Sequence, residues 1–168
     1  MIFLTVGTQF PFDRLVKAVD EAVDGDELNE QVFAQIGVSS YRPRNFESVP
    51  SLEKAVFEKR FREADSIISH SGIGSITMAL EHKKPLLVMP RLKRHREVVN
   101  DHQLAIAREF EKLGYLLVAY EAADLPAKIE ELKQFVPQER QTQADVVAAR
   151  ISTFLDELCR SRQRSVER

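Results

Sequence analysis

The residues with the clearest chemical potential lie where an apolar run meets a glycine-containing turn. Residues 66–69 form a short apolar run, residues 71–75 contain two glycines, and Ile76 and Ala79 then begin a helical pattern. A strand, a turn and the start of a helix together form an anion site, because free backbone N–H groups and the helix dipole favour negative charge. The junction therefore predicts that this chain binds a phosphorylated ligand.

The two glycines of this turn have two interpretations. Gly72 and Gly74 would let the backbone approach a ligand that a Cβ atom would exclude. Alternatively, they would only pack a helix against a strand. The pattern is neither the three-glycine dinucleotide fingerprint nor the Gly-Lys-Ser/Thr phosphate loop, so the turn does not by itself identify the ligand.

Composition narrows the classes of protein. The 168 residues, 43% of them hydrophobic, suit one domain with a sizeable core. A net charge of -2 gives no support for nucleic acid as the main partner. Cys159 is the only cysteine, which excludes a disulfide framework or a cysteine-based zinc site within the chain and fits a reducing, cytoplasmic compartment. No run approaches the roughly 20 apolar residues needed to span a bilayer, so we expect any membrane contact to be peripheral or to involve a partner.

Strand and helix patterns alternate along the chain. The predicted strands are residues 1–6, 32–37, 66–69, 85–90 and 116–120, with helical spacing of apolar residues between them and a last helix over 147–158. Residues 38–50 read as a long polar loop with a short strand near 44–46. We expect one domain over 1–160 and a polar tail over 161–168.

This alternation predicts an α/β protein with a Rossmann-like, mainly parallel sheet and helices on both faces. Ligands of such sheets bind at the carboxyl ends of the strands. Gly7-Thr8 and the turn at residues 72–74 both lie at that end. The alternative for Gly7-Thr8 is a tight turn that caps the first helix through Asp13.

Three blocks of sequence carry a resemblance to a known family. They are Val6-Gly7-Thr8-Gln9-Phe10-Pro11-Phe12-Asp13-Arg14-Leu15-Val16, then Gln35-Ile36-Gly37 with Tyr41, Pro43 and Phe46, and then residues 69–103. Together they resemble the glycosyltransferase family 28 C-terminal domain, the nucleotide-sugar-binding half of GT-B glycosyltransferases. The resemblance covers nearly the whole chain and implies a single GT-B half.

The resemblance is strongest to small stand-alone subunits of bipartite glycosyltransferases, which act in dolichol-linked oligosaccharide and bacterial capsule or exopolysaccharide synthesis. It implies a donor-binding subunit that moves a sugar from a UDP-sugar to a lipid-linked acceptor with inversion. A separate membrane-associated subunit would supply the acceptor-binding half and place this chain peripherally at the membrane. A non-catalytic nucleotide-sugar-binding or regulatory subunit is the alternative.

The resemblance also implies roles for residues. The residues expected to bind the donor are Gly7, Thr8, Phe46, Ser71, Gly72, Ile73, Gly74, Ser75, Arg91, Glu97, Asp101, His102 and Gln103. The glycine turn would hold the diphosphate, residues 44–46 would border the uracil, and residues 91–103 would contact the sugar. Four alternatives stay open: Phe46 as core packing, Ser75 as a plain helix position, the 91–103 loop as a solvated charged loop, and His102 as a core histidine in line with Val99 and Ile106.

Two expectations concern chemistry. No aspartate pair has metal-ligand spacing, so we expect neither a metal nor another cofactor, with the helix dipole and loop cations stabilising the leaving diphosphate. The general base should lie in the partner or at the interface, and His70 is a weak local candidate. Many GT-B sites hold the ribose with a glutamate on the helix after the glycine turn. That position here is Met78, and Glu81 comes one turn later.

Overall fold

Six strands alternate with helices in the computed structural model, which describes residues 1–25, 28 and 30–139. In chain order the elements are β1 Ile2–Thr5, α1 Asp13–Asp24, β2 Val32–Gln35, β3 Glu47–Val49, α2 Lys54–Glu63, β4 Ser66–His70, α3 Ile73–Glu81, β5 Leu86–Met89, α4 His102–Lys112, β6 Leu117–Val118 and α5 Leu125–Leu132. The predicted last helix and tail lie outside the described residues.

The six strands form one parallel sheet in the order β3-β2-β1-β4-β5-β6. The chain builds outward from β1 in one direction and, starting again at β4, outward in the other. This is the doubly wound order, in which ligands bind at the carboxyl edge where the strand order reverses. The predicted Rossmann-like sheet is therefore confirmed, and its switch point lies between β1 and β4.

Two apolar clusters cover the two faces of the sheet, and helices close both. Leu4 of β1 packs with α1 and α5, whereas its neighbour Phe3 packs with residues of α2, α3 and α4. Ile68 and Ile67 of β4 divide in the same way. Successive side chains of a strand point to opposite faces, so a continuous apolar run indicates a sheet buried on both sides.

The connection from β2 to β3 contains no helix among its residues, and α1 holds it in place. Asp20 of α1 is 3% exposed and accepts hydrogen bonds from Tyr41 Oη (2.8 Å), Arg44 N (3.0 Å) and Asn45 N (2.9 Å). Burial alone would raise the pKa of Asp20. The hydrogen bonds from Asn45, Tyr41 and Arg44 together lower it by more than burial raises it, so the pKa lies below its ordinary value. Asp20 therefore stays charged and fixes the crossover to the helix.

Two expectations for this region were wrong. The short strand is Glu47–Val49 rather than residues 44–46. Asp13 does not cap α1, whose N-cap is Phe12. Its carboxylate instead accepts from Ser40 N (2.7 Å) and Tyr41 N (3.0 Å), because the crossover passes the start of the helix.

Within residues 1–25, 28 and 30–139, the longest apolar helical stretch falls short of what a membrane span requires.

Candidate functional site

A cavity of about 420 Å³ lies at the switch point of the sheet. Loops after β1 and β5 and the start of α4 form its walls, and the end of β4 completes it. Among the sequence-predicted residues, those that line it are Gly7, Thr8, His70, Arg91, His102 and Gln103. These residues come from four separate segments, and the parallel sheet brings them together.

The start of α3 adjoins this cavity through His70 and offers free hydrogen-bond donors. The first helical bond runs from Ile76 N to Gly72 O (3.1 Å), and Gly72 N donates to His70 O (2.8 Å). The N–H groups of Ile73, Gly74 and Ser75 therefore have no acceptor among the described residues. These three N–H groups and the positive end of the helix dipole form an anion site.

Ser71 adds a second sign of an incomplete site. Its side chain is fully buried, and its hydroxyl has no hydrogen-bond partner among the described residues. A buried hydroxyl without a partner costs free energy, so unpaired ones are rare in native proteins. It lies immediately before the N-cap of α3, beside the free N–H groups.

The two glycines of the turn differ in function. A Cβ atom on Gly72 would lie 2.3 Å from His70 Nε2, so this glycine accommodates the imidazole ring. The His70 ring therefore accounts for the absence of a side chain at Gly72, and the predicted contact between Gly72 and a ligand stays a prediction. A Cβ atom on Gly74 would meet nothing within 4 Å, so Gly74 faces open space at the helix start.

His70 is held as a neutral ring in one tautomer. Ser69 Oγ donates its proton to Thr5 O (2.8 Å). Because that proton is used, Ser69 Oγ can only accept in its contact with His70 Nδ1 (3.3 Å). We therefore assign the proton to Nδ1 and the lone pair to Nε2. Burial and, to a smaller extent, the charge of Arg91 together lower the pKa of His70 to about 4. The ring can accept a hydrogen bond at the cavity but carries no charge at neutral pH.

Arg91 places a buried positive charge beside the cavity. Its Nη2 donates to Val6 O (2.6 Å) and Phe10 O (2.8 Å), and its guanidinium lies 4.9 Å from the centre of the Phe12 ring. Burial lowers the pKa of Arg91 to about 10, although the charge of Glu97 opposes the shift, so the group stays protonated. Its direct acceptors are backbone carbonyls, so an anion in the cavity would experience its charge.

The loop between β5 and α4 is ordered by its own polar residues. Gln103 is 6% exposed, and its Oε1 accepts from Arg91 N (3.1 Å). Asp101 accepts from Lys93 N (2.7 Å). Both oxygens of Glu97 accept from Arg14, at 2.9 and 3.0 Å. The contacts predicted between a sugar and Glu97, Asp101 or Gln103 stay predictions, and the structure adds a loop-holding role for each.

His102 does not belong to the core. It is exposed at the first position of α4 and contacts Asn100 Oδ1 through Nδ1 (2.5 Å). Val99 is 83% exposed and precedes the helix. The alternative of a core histidine was wrong because the helix begins later than the apolar spacing indicated, and Gln103 and Ala107 form its buried side.

Phe46 lies at the wrong edge of the sheet for a base contact. Glu47 of β3 pairs with Phe33, near the start of β2, so Phe46 precedes the amino end of its strand. It is half-buried and packs against the cluster that includes α1. The expectation that residues 44–46 border the base is therefore corrected, and the core-packing alternative holds. The residues after Val49 reach the carboxyl edge instead.

The ribose contact stays open. Met78 is half-buried in α3 and packs against the cluster on its own face of the sheet. Glu81 is exposed at the last position of the same helix, at the opposite end from the free N–H groups. Within the described residues, no group of three or more histidine, cysteine, aspartate or glutamate side chains could hold a metal ion.

Sequence reasoning missed two residues that hold loops of the sheet in place. Arg14 and Asp20 lie on α1, and their partners are 83 and 21–25 positions away along the chain. The available signal was the presence of charged residues between the apolar positions of a helix. That signal does not identify the partner, because distance along the chain does not reveal distance in the fold.

The chain matches a known protein family and is similar in sequence to characterised members of it. The profile of the glycosyltransferase family 28 C-terminal domain matches residues 1–157. The chain is 32% identical over 125 residues to the human UDP-N-acetylglucosamine transferase subunit ALG13, covering 68% of this chain and 10% of that protein. It is 30% identical over 118 residues to the Candida albicans subunit of the same name, covering 70% of this chain and 34% of the relative.

A solved structure supports the fold. The solution structure of an ALG13 protein superposes with a TM-score of 0.56 at 19% identity, covering 81% of this chain and 87% of the other. The sheet order and this likeness confirm the carboxyl-terminal half of a GT-B fold. By its sequence profile over most of its length, the chain belongs to the glycosyltransferase family 28 C-terminal domain family.

Proposed function

We propose that this chain is the donor-binding subunit of a two-component inverting glycosyltransferase, which transfers a sugar from a UDP-sugar to a lipid-linked acceptor. The observation that carries the proposal is the start of α3. The free N–H groups of Ile73, Gly74 and Ser75 and the unpartnered hydroxyl of Ser71 follow directly after His70, which lines the switch-point cavity. A diphosphate supplies the acceptor oxygens that these donors lack.

The same groups would assist the chemical step. When the glycosidic bond to the diphosphate breaks, negative charge develops on the leaving phosphate oxygens. Fixed N–H donors, a helix dipole and the charge of Arg91 stabilise that charge without a metal. Attack from the face opposite the diphosphate gives a β-linked product from an α-linked donor.

The cavity would hold the sugar. Thr8, His102 and the Gln103 amide lie along its walls and offer hydrogen-bonding groups to sugar hydroxyls. N-acetylglucosamine is the first sugar to test, because the human and Candida albicans relatives are named UDP-N-acetylglucosamine transferase subunits. Capsule or exopolysaccharide synthesis is a further proposal from the sequence resemblance.

The acceptor half and the general base would come from a partner. The relatives are named subunits, and this chain supplies one half of a GT-B fold. His70 is neutral, but its low pKa makes it a weak base, so the acceptor hydroxyl would lose its proton to a partner residue. We propose that the partner also places this chain at the cytoplasmic face of a membrane.

Calorimetric titration of the purified chain tests the donor site. We expect binding of UDP and of one UDP-sugar in a series, and no comparable binding of GDP or NAD. The Gly74→Ala variant should bind UDP about tenfold more weakly, because a methyl group pressed into a filled contact costs roughly 1–3 kcal/mol. Its thermal stability should not fall, because the new Cβ meets nothing within 4 Å and alanine favours a helix.

Gly25→Ala is the matched control. Gly25 ends α1, at the opposite edge of the sheet, with an ordinary φ of -81°. This variant should bind UDP as the parent does. The titration is repeated with the co-expressed neighbouring subunit, in which transfer to a lipid-linked acceptor is also measured. Absence of UDP binding in both preparations would overturn the proposal, and binding without transfer in the complex would favour a regulatory subunit.

A further inference from the structure

The two walls of the switch-point cavity are irregular segments that need external support. One wall is the loop after β1, from Gly7 to Phe10, and the other contains Val98, His102 and Gln103. Neither wall is part of the strand ladder. Their separation therefore depends on side chains that connect them.

A bidentate ion pair connects the segments behind these walls. Arg14, in the first turn of α1, donates to Glu97 Oε1 through Nε (2.9 Å) and to Glu97 Oε2 through Nη2 (3.0 Å). The same guanidinium donates to Pro90 O (2.9 Å), and Glu97 also accepts from Leu92 N (2.9 Å). The side chains of Arg14 and Glu97 are only 16% and 10% exposed. Pairs with this geometry and burial fix position far better than exposed ion pairs do.

Phe12 extends this connection to the other wall. Its fully buried ring contacts the guanidinium of Arg14 at 5.3 Å and that of Arg91 at 4.9 Å from the ring centre. Arg91 in turn holds the carbonyls of Val6 and Phe10. Arg14, Arg91 and Glu97, called here the arginine brace, thus tie the exit of β1 to the exit of β5.

Glu97 is the carboxylate of the brace, and it faces two arginines. It contacts Arg14 directly and interacts with Arg91 through its charge. Without Glu97, the guanidinium groups of Arg14 and Arg91 would lie against the Phe12 ring with no carboxylate partner. Their remaining acceptors would be backbone carbonyls and the sulfur of Met89. Glu97 also lies directly before Val98, so it fixes the point at which the second wall begins.

We propose that Arg14 is a positioning residue for the sugar end of the donor: through Glu97 it sets the spacing of the cavity walls and so the preference for UDP-sugar over UDP. This inference rests on the proposed function. The free N–H groups of α3 that would bind the diphosphate make no contact with the brace among the bonds described here. The hydrogen bonds of Arg91 to Val6 O and Phe10 O do not involve Glu97. Loosening the Arg14–Glu97 pair should therefore weaken contacts to the sugar and leave those to the diphosphate intact.

The test compares UDP with UDP-N-acetylglucosamine, or with the sugar nucleotide selected by the first titration, in the assembly that binds donor. In Glu97→Gln and Arg14→Lys, we expect affinity for the UDP-sugar to fall about tenfold and affinity for UDP to fall less than twofold. The double variant should lose no more than the stronger single variant, because residues that act through one contact are not additive. Hydrogen exchange should rise in residues 7–10 and 98–103.

Lys17→Gln with Glu21→Gln is the control, since this exposed pair lies on the same helix. It should change neither affinity. A loss in Glu97→Gln with an unaffected Arg14→Lys would overturn the inference and show that Glu97 contacts the sugar directly. Equal losses for UDP and UDP-sugar, or a lower melting temperature without any change in their ratio, would also overturn it. If the parent chain binds no nucleotide in any preparation, the proposed function itself fails, and the role of the brace in donor selection fails with it.

Discussion

The imidazole of His70 lies between two glycines, and both are adapted to that ring. A Cβ atom on Gly7 would come within 3.2 Å of His70 Cε1, and one on Gly72 within 2.3 Å of Nε2. Gly7 also has a φ of +75°, which L side chains rarely adopt. One buried ring thus sets the geometry of the turns after β1 and β4, from which two parts of the proposed donor site begin.

The burial of this histidine predicts a pH dependence of stability. Its pKa is about 4 in the folded chain and about 6.5 when unfolded. The unfolded state therefore binds a proton first, and the free energy of unfolding falls as the pH drops from about 6.5 toward 4. Between pH 7 and pH 5 we expect a loss of about 2 kcal/mol from His70, at roughly 1.4 kcal/mol per pKa unit.

Urea unfolding at pH 7 and pH 5 measures this loss. His70→Asn should be less stable at pH 7 but should lose much less on acidification. His95→Asn, at an exposed position, should keep the parent's dependence. An unchanged pH dependence in His70→Asn would show that another group is responsible.

At the residue scale, local patterns predicted part of the site. The turns at Gly7 and Gly72 follow apolar strands directly, so their place at the carboxyl edge could be inferred from the sequence. The partners of Arg14 and the separate functions of Gly72 and Gly74 could not. Those depend on which ring or carboxylate the fold brings alongside, and contacts across 83 positions leave no local pattern.

At the scale of elements, the β2–β3 crossover is the unusual feature. β3 has only three residues, of which Glu47 is exposed, so it has neither the apolar run nor the alternation that predicts a strand. The other five strands carry buried apolar residues, and the sequence predicted each of them, with ends that differ by at most two residues. β3 forms because its backbone pairs with β2 and because α1 holds the preceding loop.

Asp20 should therefore dominate the stability of this crossover. In Asp20→Ala, the Tyr41 hydroxyl and the Arg44 and Asn45 N–H groups lose their acceptor. We expect a loss of about 3 kcal/mol by urea unfolding, since buried donors left unpaired cost about 1–3 kcal/mol. Tyr41→Phe should cost about 1–2 kcal/mol, because its hydroxyl bonds to a charged carboxylate.

Asp24→Ala provides the comparison on the same helix, and as an exposed substitution it should stay within about 0.5 kcal/mol of the parent. A similar small effect for Asp20→Ala would mean that the crossover is held in another way.

At the scale of the molecule, the sheet consists of two halves that meet between β1 and β4. The chain spans 10% of the human relative and 34% of the Candida albicans relative, so the remainder of those proteins has no counterpart in the aligned part of this chain. Family membership and fold follow from the whole pattern of strands and turns. The sugar of the proposed donor does not, because its choice would depend on a few side chains at the cavity and on the proposed partner.

Metal independence is a prediction for the assembled enzyme. Transfer by the co-expressed two-component preparation should continue at an unchanged rate in excess EDTA, because in the proposed mechanism the start of α3 and Arg91 stabilise the leaving diphosphate. Steady-state rates with EDTA, and then with added Mg²⁺ or Mn²⁺, measure this. If EDTA abolishes activity and either ion restores it, a bound metal ion stabilises the diphosphate and the prediction is wrong.

The hydrogen bonds to Asp20 have a consequence for the stability of the protein at high salt concentration. Its charge is neutralised by N–H and hydroxyl dipoles in a buried setting, whereas Lys54–Glu58 and Lys59–Glu63 on α2 are exposed ion pairs. At 1 M ionic strength the Debye length falls to about 3 Å, shorter than the 3.8 Å between the charged atoms of each exposed pair, and buried contacts are screened much less. The loop before β3 should therefore stay bonded to α1 at salt concentrations that weaken the exposed ion pairs of α2.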